Sequence, residues 1–328
     1  MSLVKKFGFG VLGAGMVGLA GAAAVNRYGR RVRGRHDAVL DDPLAPPADV
    51  THHRIATADG GSVHVVDTGG EGRPVLLLHG VTLQWWVWSS TIRLLRLDRR
   101  VLAWDMRGHG ESRAGSRGVS LEACAEDLSH VLTALDLRDV VVVGHSMGGM
   151  VLGRFVVQSP DVLAERVGGV VFLATSCNSL ARRGIGAGLL GLTSAVGKVA
   201  GAGLRNPRLA YPWNDTDISA AMVSAAFGPR ATARMIDDVR KMLSEMAPQS
   251  LAEAAAAIGS HDVSREIASL DVPTAIVVGT KDRLTPPVHA GLLKETIPHA
   301  ELRVLPGIGH QVMQEAPEEV VAAVAALG

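Results

Sequence analysis

One stretch of this sequence constrains its fold more than any other. Residues 144–148 read Gly-His-Ser-Met-Gly, a Gly-x-Ser-x-Gly pattern. The apolar run 140–143 before it is typical of a buried strand, and residues 150–158 after it have helical periodicity. So sharp a junction strains the backbone at its serine, and glycine neighbours avoid the clashes that a Cβ would make. The pattern therefore predicts a turn that lifts the Ser146 hydroxyl clear of a sheet.

Elsewhere in the chain, short runs are either wholly apolar or alternate between apolar and polar residues, and segments of helical periodicity lie between them. The predicted strands are residues 51–57, 62–67, 74–78, 101–104, 140–143, 167–173, 274–278 and 301–305, and the predicted helices are residues 121–135, 150–158, 231–246, 287–296 and 318–327. The first two strands flank Asp59-Gly60-Gly61, which is a hairpin signal. This alternation predicts an α/β fold with a mostly parallel central sheet and helices on both faces.

The alternation stops between about residues 178 and 258, where no strong strand occurs. We interpret this stretch as an inserted, mostly helical lid that lies over the strand ends. A second break is the proline-rich stretch 41–49, which is typical of a linker. The sequence thus predicts an N-terminal segment over residues 1–48 and a main domain over residues 49–328.

The N-terminal segment contains a low-charge run, residues 7–25, whose length is close to that needed to cross a hydrocarbon core. Two lysines precede the run and five arginines follow it. Three interpretations compete: a cleavable signal peptide, a membrane anchor and a frayed helix. The arginines directly after the run argue against export. The positive-inside rule favours an anchor with the main domain in the cytoplasm, and the alternative is a soluble cytoplasmic protein.

Composition excludes several classes of function. A net charge of +1 over 328 residues leaves no basic excess for nucleic acid. Cys124 and Cys177 are too few for a disulfide framework and lack metal-ligand spacing, so we expect no metal. Residues 13–18 match Gly-x-Gly-x-x-Gly, but no good strand precedes them and no acidic strand end follows. A dinucleotide site is therefore rejected, and we expect no cofactor.

Two later residues complete a possible catalytic set with Ser146. A serine hydroxyl is a weak nucleophile unless a base takes its proton and a third group orients that base. Asp282 follows the predicted strand 274–278, and His310 follows the predicted strand 301–305. Catalytic groups gather at the carboxyl ends of strands in open α/β sheets. The order Ser, acid, His along the chain makes these residues the candidate nucleophile, orienting acid and base.

From about residue 49 to its end, the chain resembles the α/β-hydrolase superfamily. The matching motifs, in the family's order, are His79-Gly80 and residues 105–112, 144–149, 279–282 and 309–310. This resemblance implies the α/β-hydrolase fold with a lid. It favours Asp282 over Asp105 as the acid of the triad. It also implies that the backbone N–H groups of Val81 and Met147 form the oxyanion hole.

The remaining aromatic and histidine side chains have two interpretations each. Trp85 and Trp86 either line an acyl pocket beside Val81 or pack the core of the helix that follows. His79 and His109 are predicted to order their loops, and His145 is predicted to point into the structure.

Together these residues predict a serine hydrolase that cleaves a small-molecule carboxylic ester of moderate or low polarity through an acyl-enzyme. A carbon–carbon bond hydrolase or a cofactor-free perhydrolase would keep the same three residues, so both alternatives stay open. An alternative of another class is a non-catalytic, membrane-tethered binding protein. The complete triad disfavours it, because the fold alone does not require those side chains.

Overall fold

The protein is built around a central sheet, and the computed structural model describes residues 23–178 and 216–328. The strands are β1 (Thr51–Ala56), β2 (Ser62–Asp67), β3 (Pro74–Leu78), β4 (Arg100–Asp105), β5 (Val140–His145), β6 (Val167–Leu173), β7 (Thr274–Gly279) and β8 (Glu301–Leu305). They form one sheet in the order β1-β2-β4-β3-β5-β6-β7-β8. The β1–β2 and β2–β4 pairs are antiparallel and the other pairs are parallel. The prediction of a mostly parallel sheet is confirmed.

Helices connect the strands and cover the sheet. They are α1 (23–33), α2 (Ala38–Asp41), α3 (Ser89–Leu95), α4 (Leu121–Ala134), α5 (Met147–Gln158), α6 (Pro160–Arg166), α7 (Asp217–Val223), α8 (Ala233–Glu245), α9 (Pro248–Ser260), α10 (Pro287–Thr296), α11 (Val312–Glu315) and α12 (Pro317–Ala325). Short 3-10 helices lie at Asp42–Leu44, Trp85–Trp88, Ser224–Ala226 and Glu266–Ser269. The predicted hairpin, five helices and eight strands are all present, with shifts at their ends.

Both faces of the sheet are packed with apolar side chains. Successive residues of a strand point to opposite faces. In β5, Val140 and Val142 accordingly belong to one apolar cluster, which α4 and α5 complete. Val141 and Val143 belong to a second cluster, which α3 and α12 complete. This is the α/β-hydrolase architecture that the sequence predicts, with helices on both faces.

The predicted lid, residues 178–258, lies between β6 and β7. Its described part contains α7, α8 and α9 and is helical, as the sequence predicts. Residues 179–215 of the predicted lid lie outside the described residues.

Part of the predicted N-terminal segment packs on the main domain. Val32 and Leu44 are buried within the second cluster. The Thr232 hydroxyl donates to Asp41 Oδ1 at 2.5 Å, which ties this segment to the start of α8. The boundary between residues 48 and 49 stays a prediction. In the two described ranges, no helix combines the length and apolarity needed to span a bilayer. Residues 7–22 of the predicted anchor lie outside those ranges.

A buried arginine fixes the long loop between β4 and α4. The guanidinium of Arg107 donates Nε–H and Nη2–H to the two carboxylate oxygens of Asp127, at 2.7 and 2.8 Å. Its Nη1–H donates to Asp59 Oδ2 at 2.9 Å and to the carbonyl oxygen of Gly118 at 3.1 Å. Arg107 therefore joins the β1–β2 hairpin, the loop and α4 through charge-assisted hydrogen bonds.

We expect Arg107→Met to lower the free energy of unfolding by about 3–5 kcal/mol, because it leaves two carboxylates without their cation. The matched control is Arg117→Met, which removes an exposed ion pair with Glu126 and should cost less than about 1 kcal/mol. Urea denaturation of both variants measures the difference. Equal losses would contradict the structural role assigned to Arg107.

Candidate active site

Ser146 occupies the turn between β5 and α5 that the sequence predicts. Its φ of 52° and ψ of −118° lie in a region that residues with a Cβ rarely adopt. The Ser146 backbone N–H donates to the Leu173 carbonyl at 3.0 Å, and the Thr175 hydroxyl donates to the Ser146 carbonyl at 2.7 Å. A Cβ at Gly148 would lie only 2.4 Å from the carbonyl oxygen of Leu78. The close approach of β3 and α5 therefore requires glycine there.

Asp282 lies in the loop after β7, and both of its carboxylate oxygens accept hydrogen bonds. Oδ1 accepts the backbone N–H groups of Leu284 and Thr285 at 2.8 and 2.9 Å, and Oδ2 accepts the Thr285 hydroxyl at 2.8 Å. Burial alone would raise the pKa of Asp282. The charge and hydrogen bond of His310 and the donors of Thr285 outweigh burial and lower the pKa below its ordinary value. The carboxylate is thus ionised and held in one orientation.

His310 lies in the loop after β8 with its imidazole buried. Its Nδ1 is 2.9 Å from Asp282 Oδ2, so the ring donates there and Nε2 is left as an acceptor. The His310 backbone N–H donates to the Ala226 carbonyl at 2.8 Å, and its carbonyl accepts from His145 Nε2 at 2.9 Å. The rings of His145 and His310 have centroids 4.7 Å apart. Because His145 directly precedes Ser146, this contact brings the His310 loop to the serine turn.

The three candidate residues lie just past the carboxyl ends of β5, β7 and β8. Asp282 and His310 are joined by a hydrogen bond, and His145, the residue before Ser146, donates to the His310 carbonyl. An imidazole whose Nδ1–H is held by a carboxylate presents Nε2 as a base. Such an arrangement is suited to taking a proton from a hydroxyl. The catalytic roles of the three residues stay a prediction.

The two predicted oxyanion donors lie in the segments next to Ser146. Met147 is the first residue of α5, where a backbone N–H has no partner within the helix. Val81 follows Gly80, and a Cβ at Gly80 would lie 3.1 Å from Ser146 Cβ. The loop after β3 therefore passes beside the serine. The assignment of Val81 and Met147 as oxyanion donors stays a prediction.

Two buried histidines hold the loop after β3. His79 accepts the Met106 N–H on Nε2 at 3.0 Å and donates from Nδ1 to the Gly80 carbonyl at 2.7 Å. His109 accepts the Thr82 N–H on Nε2 at 3.2 Å and donates from Nδ1 to a carbonyl of its own turn at 3.1 Å. Burial lowers the pKa of His79, and it lowers the pKa of His109 to about 3. Both rings stay neutral, which agrees with the prediction that they order loops.

Asp105, the rival acid, is bound to other groups. Its Oδ2 accepts the Nδ1–H of His64 at 2.8 Å and the backbone N–H of Glu111 at 3.0 Å. Its Oδ1 accepts the backbone N–H of Trp85 at 2.8 Å. This carboxylate therefore joins β2, the loop after β4 and the tryptophan segment, whereas Asp282 hydrogen bonds to His310.

The tryptophans differ in their surroundings. Trp85 is buried in the second cluster, and its ring lies edge-on to His52 with centroids 6.3 Å apart. Trp86 is half-buried, and Lys241 Nζ of α8 lies 5.5 Å from its ring centroid. Core packing thus accounts for Trp85, and Trp86 faces the described lid. The substrate-binding role of Trp85 and Trp86 stays a prediction.

Sequence reasoning missed three contacts that position the candidate triad. One is the hydrogen bond from His145 to the carbonyl of His310, and another is the support that Thr285 gives Asp282. The Asp-x-x-Thr spacing of residues 282–285 is a signal for the second, because an Asp side chain commonly binds the backbone two or three residues on. The third contact involves Glu315, for which the sequence carries no such signal.

Glu315 of α11 joins the His310 loop to the described lid. Its Oε2 accepts the Gly228 N–H at 2.7 Å, and its Oε1 accepts the Gly309 N–H at 3.1 Å. Burial raises the pKa of Glu315 to about 7, against the opposing effect of these two donors. Glu315 therefore changes its charge near neutral pH at a point one residue away from the His310 backbone.

We expect Glu315→Gln to change how stability depends on pH. The pKa of about 7 in the folded state lies above the ordinary value of 4.5, so the unfolded chain loses this proton first. The contribution of Glu315 to stability should therefore fall as pH rises through the window from about 4.5 to about 7. Glutamine does not titrate, so the melting temperature of the variant relative to wild type should rise from about pH 5 to about pH 8.

The matched control for this experiment is Glu318→Gln, on the exposed side of α12. A melting-temperature difference for Glu315→Gln that varies with pH no more than the difference for Glu318→Gln would contradict the raised pKa of Glu315.

Comparisons with known proteins agree with the fold described above. A sequence model of the alpha/beta hydrolase fold matches residues 73–317. The non-heme chloroperoxidase CPO-A1 of Kitasatospora aureofaciens is 29% identical over 258 residues, which cover 78% of this chain and 91% of that protein. A thermophilic esterase from Thermogutta terrifontis has a TM-score of 0.69 at 26% identity, covering 84% of this chain and 97% of its own. An esterase from Exiguobacterium antarcticum has a TM-score of 0.71, covers 84% of this chain and 98% of its own, and at 20% identity shows similarity of fold alone.

Proposed function

Because this chain belongs to the α/β-hydrolase family, we propose that it is a serine hydrolase that cleaves a small-molecule carboxylic ester of moderate or low polarity. The observation that carries the proposal is the 2.9 Å hydrogen bond between Asp282 and His310. The backbone of His310 is in turn hydrogen bonded to His145, in the turn that bears Ser146. The similarity to an esterase at 26% identity supports it.

In the proposed reaction, the Ser146 hydroxyl attacks the ester carbonyl while Nε2 of His310 takes its proton. Asp282 holds the ring in the required tautomer and stabilises the imidazolium that forms. The backbone N–H groups of Val81 and Met147 would stabilise the tetrahedral oxyanion, since each such donor is worth about 10² to 10³ in rate. His310 then protonates the leaving alcohol. Water attacks the acyl-enzyme with His310 again acting as the base.

The proposed role of Ser146 is tested with p-nitrophenyl esters from acetate to palmitate. Wild-type protein should cleave one or more of them, and Ser146→Ala should lower kcat by several orders of magnitude, about 10⁶ in a comparable triad enzyme. Ser159→Ala, at the other end of α5, is the matched control and should retain activity. The chain length cleaved fastest measures the size of the acyl pocket.

A fluorophosphonate probe separates failure of the substrate from failure of the proposal. Labelling of Ser146 without cleavage of any ester would indicate a working triad with another substrate, and would favour carbon–carbon bond hydrolysis. Absence of labelling in the folded wild-type protein would contradict the serine hydrolase and favour a non-catalytic binding protein.

The similarity to a non-heme chloroperoxidase favours perhydrolysis as a second candidate. The acylation step would be the same, but hydrogen peroxide instead of water would attack the acyl-enzyme. One peroxide oxygen then bonds to the acyl carbon, the Ser146 ester bond breaks, and a peracid is released. Peracid formation from an ester and hydrogen peroxide, lost in Ser146→Ala, would support this candidate. Formation of the carboxylic acid without any peracid would contradict perhydrolysis and support hydrolysis.

We expect Thr285→Val to lower kcat by roughly 10- to 100-fold, because a hydrogen bond to a charged group contributes about 1.5–3 kcal/mol. KM should change little, since Thr285 contacts Asp282 and His310 and not the substrate. Thr285→Ser restores the hydroxyl and should restore most of the activity. A change confined to KM would contradict the positioning role.

A further inference from the structure

Three side chains of types that commonly bind metal ions lie close together outside the candidate active site. They are His52 on β1, His64 on β2 and Glu111 in the loop after β4. One ligand atom from each lies within 4.8 Å of the other two. His52 and His64 come together because β1 and β2 are antiparallel, with His52 opposite Val66, so that His64 is its diagonal neighbour on the same face.

A carboxylate orients two of these three groups. Asp105 Oδ2 accepts the Nδ1–H of His64 at 2.8 Å, so Nε2 of His64 is unprotonated and its electron pair faces His52. The same oxygen accepts the backbone N–H of Glu111 at 3.0 Å. In metal sites a histidine ligand usually donates its other N–H to a carboxylate in this way, which fixes the tautomer and raises the basicity of the ligand.

His52 and Glu111 place their ligand atoms close to Nε2 of His64. His52 Nδ1 lies 2.8 Å from His64 Nε2, so without an ion these nitrogens share one proton, which His52 donates. Glu111 Oε1 lies 3.9 Å from His64 Nε2, and Arg54 Nη2 lies 3.4 Å from the other oxygen, Oε2. The arginine therefore leaves Oε1 facing the histidines.

We propose that His52, His64 and Glu111 form a binding site for a divalent transition-metal ion of the Zn²⁺ type. Two imidazoles and one carboxylate with an open fourth position are a known ligand set for zinc. Two nitrogens on one tetrahedral ion lie about 3.4 Å apart, and these two lie 2.8 Å apart, so the His52 ring must move outward by about 0.6 Å and carry its proton on Nε2. Because His52 is exposed, its ring has room for both changes.

The test is calorimetric titration of tag-free, full-length protein with Zn²⁺. We expect a single ion per chain, and we expect no binding of Mg²⁺ because magnesium prefers oxygen ligands. His52→Ala and Glu111→Gln should each weaken Zn²⁺ binding by at least about tenfold. Both substitutions are on exposed side chains, and circular dichroism checks that each variant is folded.

His53→Ala is the matched control. His53 is the next residue on β1 and points to the opposite face, where its Nε2 lies 3.5 Å from Asp67. The His53→Ala variant should bind Zn²⁺ as wild type does. Ser146→Ala should do so as well, since the proposed metal site does not include the proposed nucleophile. Absence of binding by wild type, or an equal loss in His53→Ala and His52→Ala, would overturn the proposal and leave the His52–His64 pair as a hydrogen bond only.

Discussion

The parallel pairing of β3, β5 and β6 is the constraint on which the rest of the structure depends. These strands are almost entirely buried, so their backbone N–H and C=O groups must find partners in neighbouring strands. Parallel pairing requires each connection to cross a face of the sheet, which places the carboxyl ends of the strands along one edge. Ser146, Asp282 and His310 all follow strands of this sheet, so all three lie at that edge.

The sequence predicts most reliably the strands that are buried on both faces, because such strands consist almost entirely of apolar residues. The predicted ends of β3 and β6 match the observed ones, and both strands are buried over almost their whole length. The predicted ends of the partly exposed edge strand β8 match as well, where Pro306 and Gly307 follow it directly. The start of α5 was predicted at Met150 and lies at Met147. Glycine has low helix propensity, so Gly148 and Gly149 concealed the first turn. Those glycines are there because β3 and Thr175 leave no space for a Cβ.

The candidate site was predicted as separate residues, and their supporting contacts were not. Each candidate residue follows a strand, which a local pattern reveals. Glu315 binds the backbone of the remote residue Gly228 as well as that of nearby Gly309. His64 shares Asp105 with Glu111 and Trp85. These pairings depend on which strands become neighbours, for example β2 beside β4, and no local periodicity encodes that order. The structure therefore adds the polar network, whereas the sequence predicts the residues that the network holds.

The hydrogen bonds between the His310 loop and the described lid have a consequence for engineering this protein. Ala226 accepts the His310 N–H, and Gly228 and Gly309 share the carboxylate of Glu315. The end of the 3-10 helix 224–226 and the residues after it are thus part of the scaffold of the imidazole, although they belong to the insertion in sequence. A chimera that exchanges the insertion for one from a relative should keep residues 226–228 with the recipient. Splice points are therefore needed on either side of that short stretch, in addition to those near residues 178 and 258, where the sequence predicts the ends of the insertion.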